Sequence, residues 1–343
     1  MRVAMYYSNK DVRLEEMPIP KTGPGEILMK VMATGICGSD VMEWYRRHKA
    51  PLVLGHELSG VVAEVGDGVE NFKVGDRISA SHHVPCFECH YCKTGHETAC
   101  DLLRKTTFDP GGYVEYLRIP AVNVEKGGVY KLPDNLSYEE ATFIEPLACI
   151  LRAQRRAEIQ PGKSVLVMGS GISGLIHIHY ARAMGADRII ATDLVPARLE
   201  MALRLGANAA IRADEYTPEK LAAENNGRLA DIVITTCSAE KAICQGIDSV
   251  DRGGTVMLFA PTREDATIPL SINNTFWRND VALTTSYAAS PADHVEAMNL
   301  LATRKVDFRP MITHHFGLAE TGKGFELVAN PGSAIKVIIE NQQ

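Results

Sequence analysis

The stretch Ser164–Asp193, SVLVMGSGISGLIHIHYARAMGADRIIATD, decides the fold class. SVLVM, apolar after its first residue, reads as a buried strand, GSGISG is a glycine-rich turn, LIHIHYARAMGA follows as a helix, and DRIIATD returns to a strand. The alternation continues through ARLEMALRLGANAAI, DIVITTC and GGTVMLFA. Strands alternating with helices predict a parallel sheet wound on both faces. A lone G-x-G-x-x-G is weak, but here Gly169, Gly171 and Gly174 follow a strand and open a helix, and Asp193 ends the next strand. In that setting the first two glycines admit a pyrophosphate at the helix N-terminus, and Asp193 accepts hydrogen bonds from ribose hydroxyls. A Rossmann-like core without nucleotide is the bland alternative. His177 and His179, two residues apart on the helix, point different ways and read as packing or surface residues.

At 343 residues the chain is long enough for two domains, and 45% hydrophobic with 23% charged residues is ordinary for a soluble globular protein. The net charge of −6 gives no basic footprint, so neither nucleic acid nor an anionic membrane is expected as a partner. The opening MRVAMYYSNKDVRLEE lacks the apolar core of a leader, and no run of eighteen apolar residues occurs. A cytoplasmic protein is expected.

Upstream of the alternating region the pattern changes. Residues 1–80 read as short strands broken by Pro18, Pro20, Pro24 and Gly-Asp turns, an all-β, barrel-like segment. The last part, VDFRPMITHHFGLAETGKGFELVANPGSAIKVIIE, has the same character from about Thr284 onward, so the parallel-sheet region looks inserted in a β-rich domain. Within the first part, GICGSDVMEWYRRHKAPLVLGHELSG (35–60) offers Cys37, then His56 and Glu57. A thiolate, an imidazole and a carboxylate suit a borderline-soft ion such as Zn²⁺, although a lone Cys and His this far apart are more often packing residues. Cys86, Cys89, Cys92 and Cys100 form C-x2-C-x2-C-x7-C. Four thiolates at that spacing close a tetrahedral zinc shell and leave no place for substrate. A nucleic-acid zinc ribbon is the runner-up, disfavoured by the short spacing and the lack of basic residues. His82, His83, His90 and His96 beside the lobe read as surface residues. Glu145, before Pro146 in an apolar stretch, reads as a helix N-terminal cap or, if buried, as a fourth metal ligand.

GICGSD, GHE, the four-cysteine lobe, EPLA, GSGISG and TDLVPARLEMALRLGA, in this order, resemble the zinc-containing medium-chain dehydrogenases, and among them the sorbitol (polyol) dehydrogenase branch. The resemblance implies an α/β protein: a GroES-like catalytic domain (1–147 and 288–343, with a zinc lobe at 86–100), a Rossmann coenzyme domain (148–287), and a cleft between them for zinc and nicotinamide. It implies two zinc ions per chain and NAD. Cys37, His56 and Glu57 would be catalytic zinc ligands, with Glu145 a further ligand or water anchor. Cys86, Cys89, Cys92 and Cys100 would hold the structural zinc. Gly169, Gly171, Ser173, Gly174, Asp193, Arg198, Phe259 and Ser286 would contact cofactor. Ser39 would take the proton of an alcohol, the substrate being a small alcohol or ketone, and the assembly a homodimer or homotetramer.

Departures from the family sharpen the expectation. The usual relay histidine, five residues after the first cysteine, is Met42, which leaves solvent through Ser39, or His48, as the proton route. The polyol-binding arginine before Tyr287 is Ser286, and a family tyrosine falls on Glu43. A zinc-free reductase of the same superfamily and a non-catalytic nucleotide sensor are the competing readings.

Overall fold

The computed structural model describes residues 1–330 and 332–343. The chain divides into two compact units, one of residues 149–287, the other of residues 1–148 with 288–343.

In the first unit the run Ser164–Met168 is buried at every position, as a strand covered on both faces requires. It lies at the centre of a six-stranded parallel sheet in the order Ala209–Arg212, Arg188–Asp193, Ser164–Met168, Ala230–Thr235, Val250–Leu258, Ala282–Thr285. Numbered within the unit this is 3-2-1-4-5-6, the doubly wound order whose switch point lies beyond the ends of the first and fourth strands. Leu166, Ile190, Val233 and Val256 pack with Ile243 and Ile247 of the helix Glu240–Ile247. The helix Ile172–Ala183 buries residues on nearly all sides, His177 included. The parallel pattern runs slightly past its expected end: Ala282–Thr285 pairs with Val250–Leu258 as an edge strand. Its residues are largely exposed, so it carries little of the apolar signal that marks the other strands.

The other unit is built around Ile27–Gly35, which pairs antiparallel with Glu57–Val65, Lys336–Glu340 and Tyr116–Ile119. Arg77–Ala80 and Val129–Lys131 extend the sheet on one side and Ile312–Gly317 on the other. A separate three-stranded sheet joins Arg2–Ser8 to Asp11–Glu16 and Leu52–Val53. Val31, Leu58, Ile78, Tyr113, Phe325, Val337 and Ile339 share one core. Register then positions the chemistry. Gly35 stands opposite Glu57 on one side and Ile338 on the other, so the end of the first strand, the start of the second and the C-terminal strand meet at one place. Among the described residues no helix is long and apolar enough to cross a membrane.

Candidate metal centres and dinucleotide site

Cys37 follows the strand Ile27–Gly35 and Glu57 begins the next, with His56 just before it. One ligand atom from each of the three lies within 4.8 Å of the others. Glu145 is not a member of that cluster; it sits in the first turn of the helix Ile144–Arg156.

Several side chains hold the cluster in place. Asp40, fully buried, accepts hydrogen bonds from Tyr113 Oη at 2.7 Å and the Cys37 N–H at 3.2 Å. Its other oxygen faces His56 Nδ1 at 3.5 Å, which leaves Nε2 of that ring for a metal. Burial, and then Asp40, push the Tyr113 hydroxyl well above its ordinary value, so it remains a donor. Ser39 Oγ lies 3.3 Å from Cys37 Sγ and 3.4 Å from Arg46 Nη2, while Arg46 Nε donates to the Ser39 carbonyl at 3.0 Å. Burial opposes charge on His56, but Asp40 and Cys37 outweigh it and hold the imidazole well above its usual range. Burial raises the Cys37 thiol, and Glu57 adds to the effect. Cys37 and Glu57 are acid groups held close together under burial, and a divalent cation set among them would stabilise their anionic forms.

Lys336 pairs with Glu57 from the C-terminal strand, both side chains buried. A Cβ at Gly35 would collide with Lys336 Nζ and sit 2.7 Å from Glu57 Oε2, so glycine there is the condition for the pair. Lys336, Asp40, Arg46 and Tyr113 were not singled out by sequence reasoning. Asp40 lies inside the quoted GICGSD motif, and Lys336 is a lone cation in the apolar run AIKVIIE, which is the signal that could have found it.

Two of the neighbouring histidines differ from expectation. His90 and His96 are exposed, but His82 is not a free surface residue: its ring centroid is 4.8 Å from that of His56 and 3.8 Å from that of His83. Burial, then the neighbouring histidines, hold His82 well below its usual value. His83 is lowered to about 4, by burial first, and its Nδ1 lies 2.9 Å from the Thr106 carbonyl. Neutral imidazoles therefore flank the metal-ligand cluster. Val84 is buried and its N–H donates to Thr106 Oγ1 at 3.0 Å, which holds the two histidines inward where a hydrophilic run suggested surface.

The four lobe cysteines also converge, their Sγ atoms all within 4.8 Å of one another. The Cys86–Cys92 and Cys89–Cys92 separations are 3.9 and 3.5 Å. Tetrahedral Zn–S bonds of about 2.3 Å demand S···S distances of about 3.8 Å, so the sulfurs fit that ion. Backbone N–H groups of Glu88 and Cys89 point at Cys86 Sγ and bring its thiol down to about 6, toward the thiolate a metal needs.

In the other unit, Gly169 has φ +99°, and Thr236 at the end of the fourth strand donates to its carbonyl at 2.7 Å. A Cβ on Gly174 would collide with that same carbonyl, whereas one on Gly171 would meet nothing nearer than Arg198 Nη1 at 3.9 Å. Gly174 is thus needed for helix–strand packing, and Gly171 borders open space over the helix N-terminus, room of the kind a pyrophosphate fills. Asp193 is buried, and its two oxygens accept the N–H groups of Ser170 and Val195, each at 2.8 Å. Arg198 Nη1 is 4.0 Å from Asp193 Oδ2. Ser173 is half-buried in the first turn of the helix, Phe259 stands edge-on to His177 at 4.7 Å, and Ser286 Oγ is buried without a hydrogen bond among the described residues. Thr236 and Ser170 were missed because a single hydroxyl after a strand carries no pattern.

Comparison with known proteins agrees with this geometry. The family description "Alcohol dehydrogenase GroES-like domain" matches residues 23–134, and "Zinc-binding dehydrogenase" matches residues 173–303. The chain is 34% identical over 342 residues to sorbitol dehydrogenase of Gallus gallus, covering 96% of this chain and 93% of that one. It is 34% identical, with the same coverage, to a probable D-xylulose reductase A of Aspergillus clavatus. A zinc-binding dehydrogenase from Sinorhizobium meliloti, solved with NADP, superposes with a TM-score of 0.88 at 25% identity over 99% of each chain. Fold and matches together define a zinc-dependent dehydrogenase made of a GroES-like and a Rossmann domain. The chain belongs to the zinc-containing medium-chain dehydrogenases, in the polyol dehydrogenase-like branch. It is an oxidoreductase acting on a small alcohol or polyol with zinc and a nicotinamide cofactor.

Proposed function

We propose that the chain transfers hydride between a secondary alcohol or polyol and NAD, with Cys37, His56 and Glu57 holding the catalytic zinc and Cys86, Cys89, Cys92 and Cys100 a structural one. The observation that carries the reading is the convergence of Cys37, His56 and Glu57 within 4.8 Å, with a serine hydroxyl 3.3 Å from the thiolate. It favours Glu57 over Glu145 as the third ligand. Zinc in such a site polarises an alcohol oxygen and lowers its pKa. Asp40 and Tyr113 fix the ring of His56, and Lys336 fixes the carboxylate of Glu57. Ser39 Oγ receives the alcohol proton and passes it to water. Neither Met42 nor Arg46 relays it, since a thioether is a weak acceptor and a guanidinium has no acceptor at all.

NAD is held by the loop Gly169–Gly174, with Asp193 at the adenosine ribose and Arg198, Ser173, Phe259 and Ser286 as further contacts. The catalytic domain then comprises residues 1–147 and 288–343, and the coenzyme domain 148–287. A homodimer or homotetramer is supported by the unpaired outer edge of Ala282–Thr285 and by exposed Ile272, Trp277 and Leu283 in the same stretch of chain, apolar surface that a second copy would cover. Metal analysis and an NAD-coupled screen of secondary alcohols and polyols test the reading. Zinc with no NAD-dependent turnover of any alcohol would leave a nucleotide sensor. Turnover by protein free of zinc would leave the zinc-free reductase.

A further inference from the structure

The chain as a whole is acidic, yet EWYRRHK (43–49), beside the metal-ligand cluster, sets Arg46, Arg47 and Lys49 against one carboxylate, Glu43. Arg47 and Lys49 are exposed and leave this corner positive. Glu43, Trp44, Arg47 and His48 line an open pocket of about 420 Å³ on the same stretch.

Arg46 is the cation turned inward. Its side chain is only 17% exposed. Nε is used on the Ser39 carbonyl, and Nη2 lies 3.4 Å from Ser39 Oγ and 3.9 Å from Asp40 Oδ1. Through those two residues it stands one side chain away from Cys37 and from His56. The guanidinium plane rests against Tyr45, 4.8 Å from the ring centroid, which fixes its direction. Arg46 has five N–H donors, and the Nη1 pair makes no hydrogen bond among the described residues. A guanidinium needed only to balance Asp40 would close on that carboxylate with both nitrogens of its fork; this one stops at 3.9 Å.

We infer that Arg46 is a specificity-determining residue that reads an oxyanion, a carboxylate or a phosphate, carried by the substrate close to its reacting carbinol. The inference rests on the dehydrogenase reading above and narrows it: the preferred substrates are hydroxy acids or phosphorylated alcohols. Arg46 follows Cys37 by nine residues in the same stretch of chain. A bidentate guanidinium–oxyanion contact is charge-assisted and lost when the oxyanion is replaced by a hydroxyl.

The test compares the zinc-loaded protein on three substrates of one skeleton: butane-1,3-diol, 3-hydroxybutanoate and the diol's 1-phosphate. Wild-type protein is expected to favour at least one oxyanion form over the diol by about tenfold or more in kcat/KM, a difference of about 1.4 kcal/mol. R46M should bring that ratio to near one, chiefly through KM, and R46K should keep part of it; which oxyanion is preferred tells carboxylate from phosphate. Trp44 fluorescence titrated with inorganic phosphate gives a second readout, expected to show binding to wild type that R46M weakens by about tenfold. A ratio near one in wild type, or an equal loss on all three substrates in R46M at unchanged zinc content and melting temperature, overturns the inference and leaves Arg46 a brace for Asp40. Diol turnover without oxyanion preference sinks the inference alone, whereas no NAD turnover of any alcohol sinks the dehydrogenase reading. If none of the three is turned over, phosphate binding decides: equal affinity in wild type and R46M refutes it.

Discussion

Lys336 and Glu57, 279 residues apart in the chain, form an ion pair with side chains 0% and 3% exposed. It joins the C-terminal strand Lys336–Glu340 to the strand Glu57–Val65, at the edge of the Cys37, His56 and Glu57 cluster. A buried carboxylate stripped of its cation is costly, about 3–5 kcal/mol. Lys336→Met should therefore destabilise the metal-free protein by about that much, and zinc, which supplies another cation to Glu57, should recover more stability in the variant than in wild type. Denaturant unfolding of both proteins with and without zinc reads this directly. An identical loss in the two conditions would separate Glu57 from the metal.

The two metal clusters should respond differently to loss of a thiolate. Wild type is expected to bind two zinc ions per chain. Cys37→Ser should lose one ion and the activity while the fold persists, because the β core around Ile27–Gly35 does not depend on that ion. Cys89→Ser should loosen the lobe at 86–100, whose two short helical turns, His90–Lys93 and Glu97–Ala99, bury little besides Thr98 and so lean on the metal. Elemental analysis, with limited proteolysis of the lobe, measures both effects. One ion or none in carefully prepared wild type would refute the two-site reading.

Much of this architecture was legible because its signals are local. The run Ser164–Met168, apolar after its first residue, the glycines after it and the cysteine spacing each announce themselves within a few residues. The supporting partners were not, because they are set by register between distant strands: Lys336 reaches Glu57 only because Ile338 and Glu57 both stand opposite Gly35. His82 and His83 misled for a related reason. A hydrophilic SHH run reads as surface until tertiary packing folds it against His56 and Phe108.

Cofactor choice is expected to rest on Asp193. A similar fold binds NADP in the Sinorhizobium meliloti protein, so the architecture itself does not choose. Here a buried carboxylate, already fixed by two backbone N–H groups, meets a 2′-phosphate with like-charge repulsion and without ribose hydrogen bonds. Arg198, 4.0 Å away, softens this by offering phosphate a partner. Wild type should favour NAD in kcat/KM, and Asp193→Ser should erode the preference by about 10- to 100-fold, the worth of about 1–3 kcal/mol. Comparable kcat/KM for the two cofactors in wild type would be the contrary result.

Substrate preference should depart from the sorbitol dehydrogenases that the chain resembles. In that branch an arginine precedes the tyrosine at the return to the catalytic domain and contacts the outer hydroxyls of the sugar alcohol; aligned on Tyr287, the residue here is Ser286. A serine is shorter, uncharged and offers one donor in place of five. Ser286 Oγ is buried and makes no hydrogen bond among the described residues, so it leaves little to replace the arginine's reach. Each hydroxyl of a bound polyol left without its partner costs about 1–3 kcal/mol. Sorbitol and xylitol are accordingly expected to be poor substrates beside a secondary alcohol of another polar pattern, and Ser286→Arg should raise kcat/KM for sorbitol relative to that alcohol, mainly by lowering KM. Steady-state kinetics on sorbitol, xylitol, threonine and simple 2,3-diols measures the order. Sorbitol as the best of these for wild type would mean that Ser286 does not stand where the arginine acts.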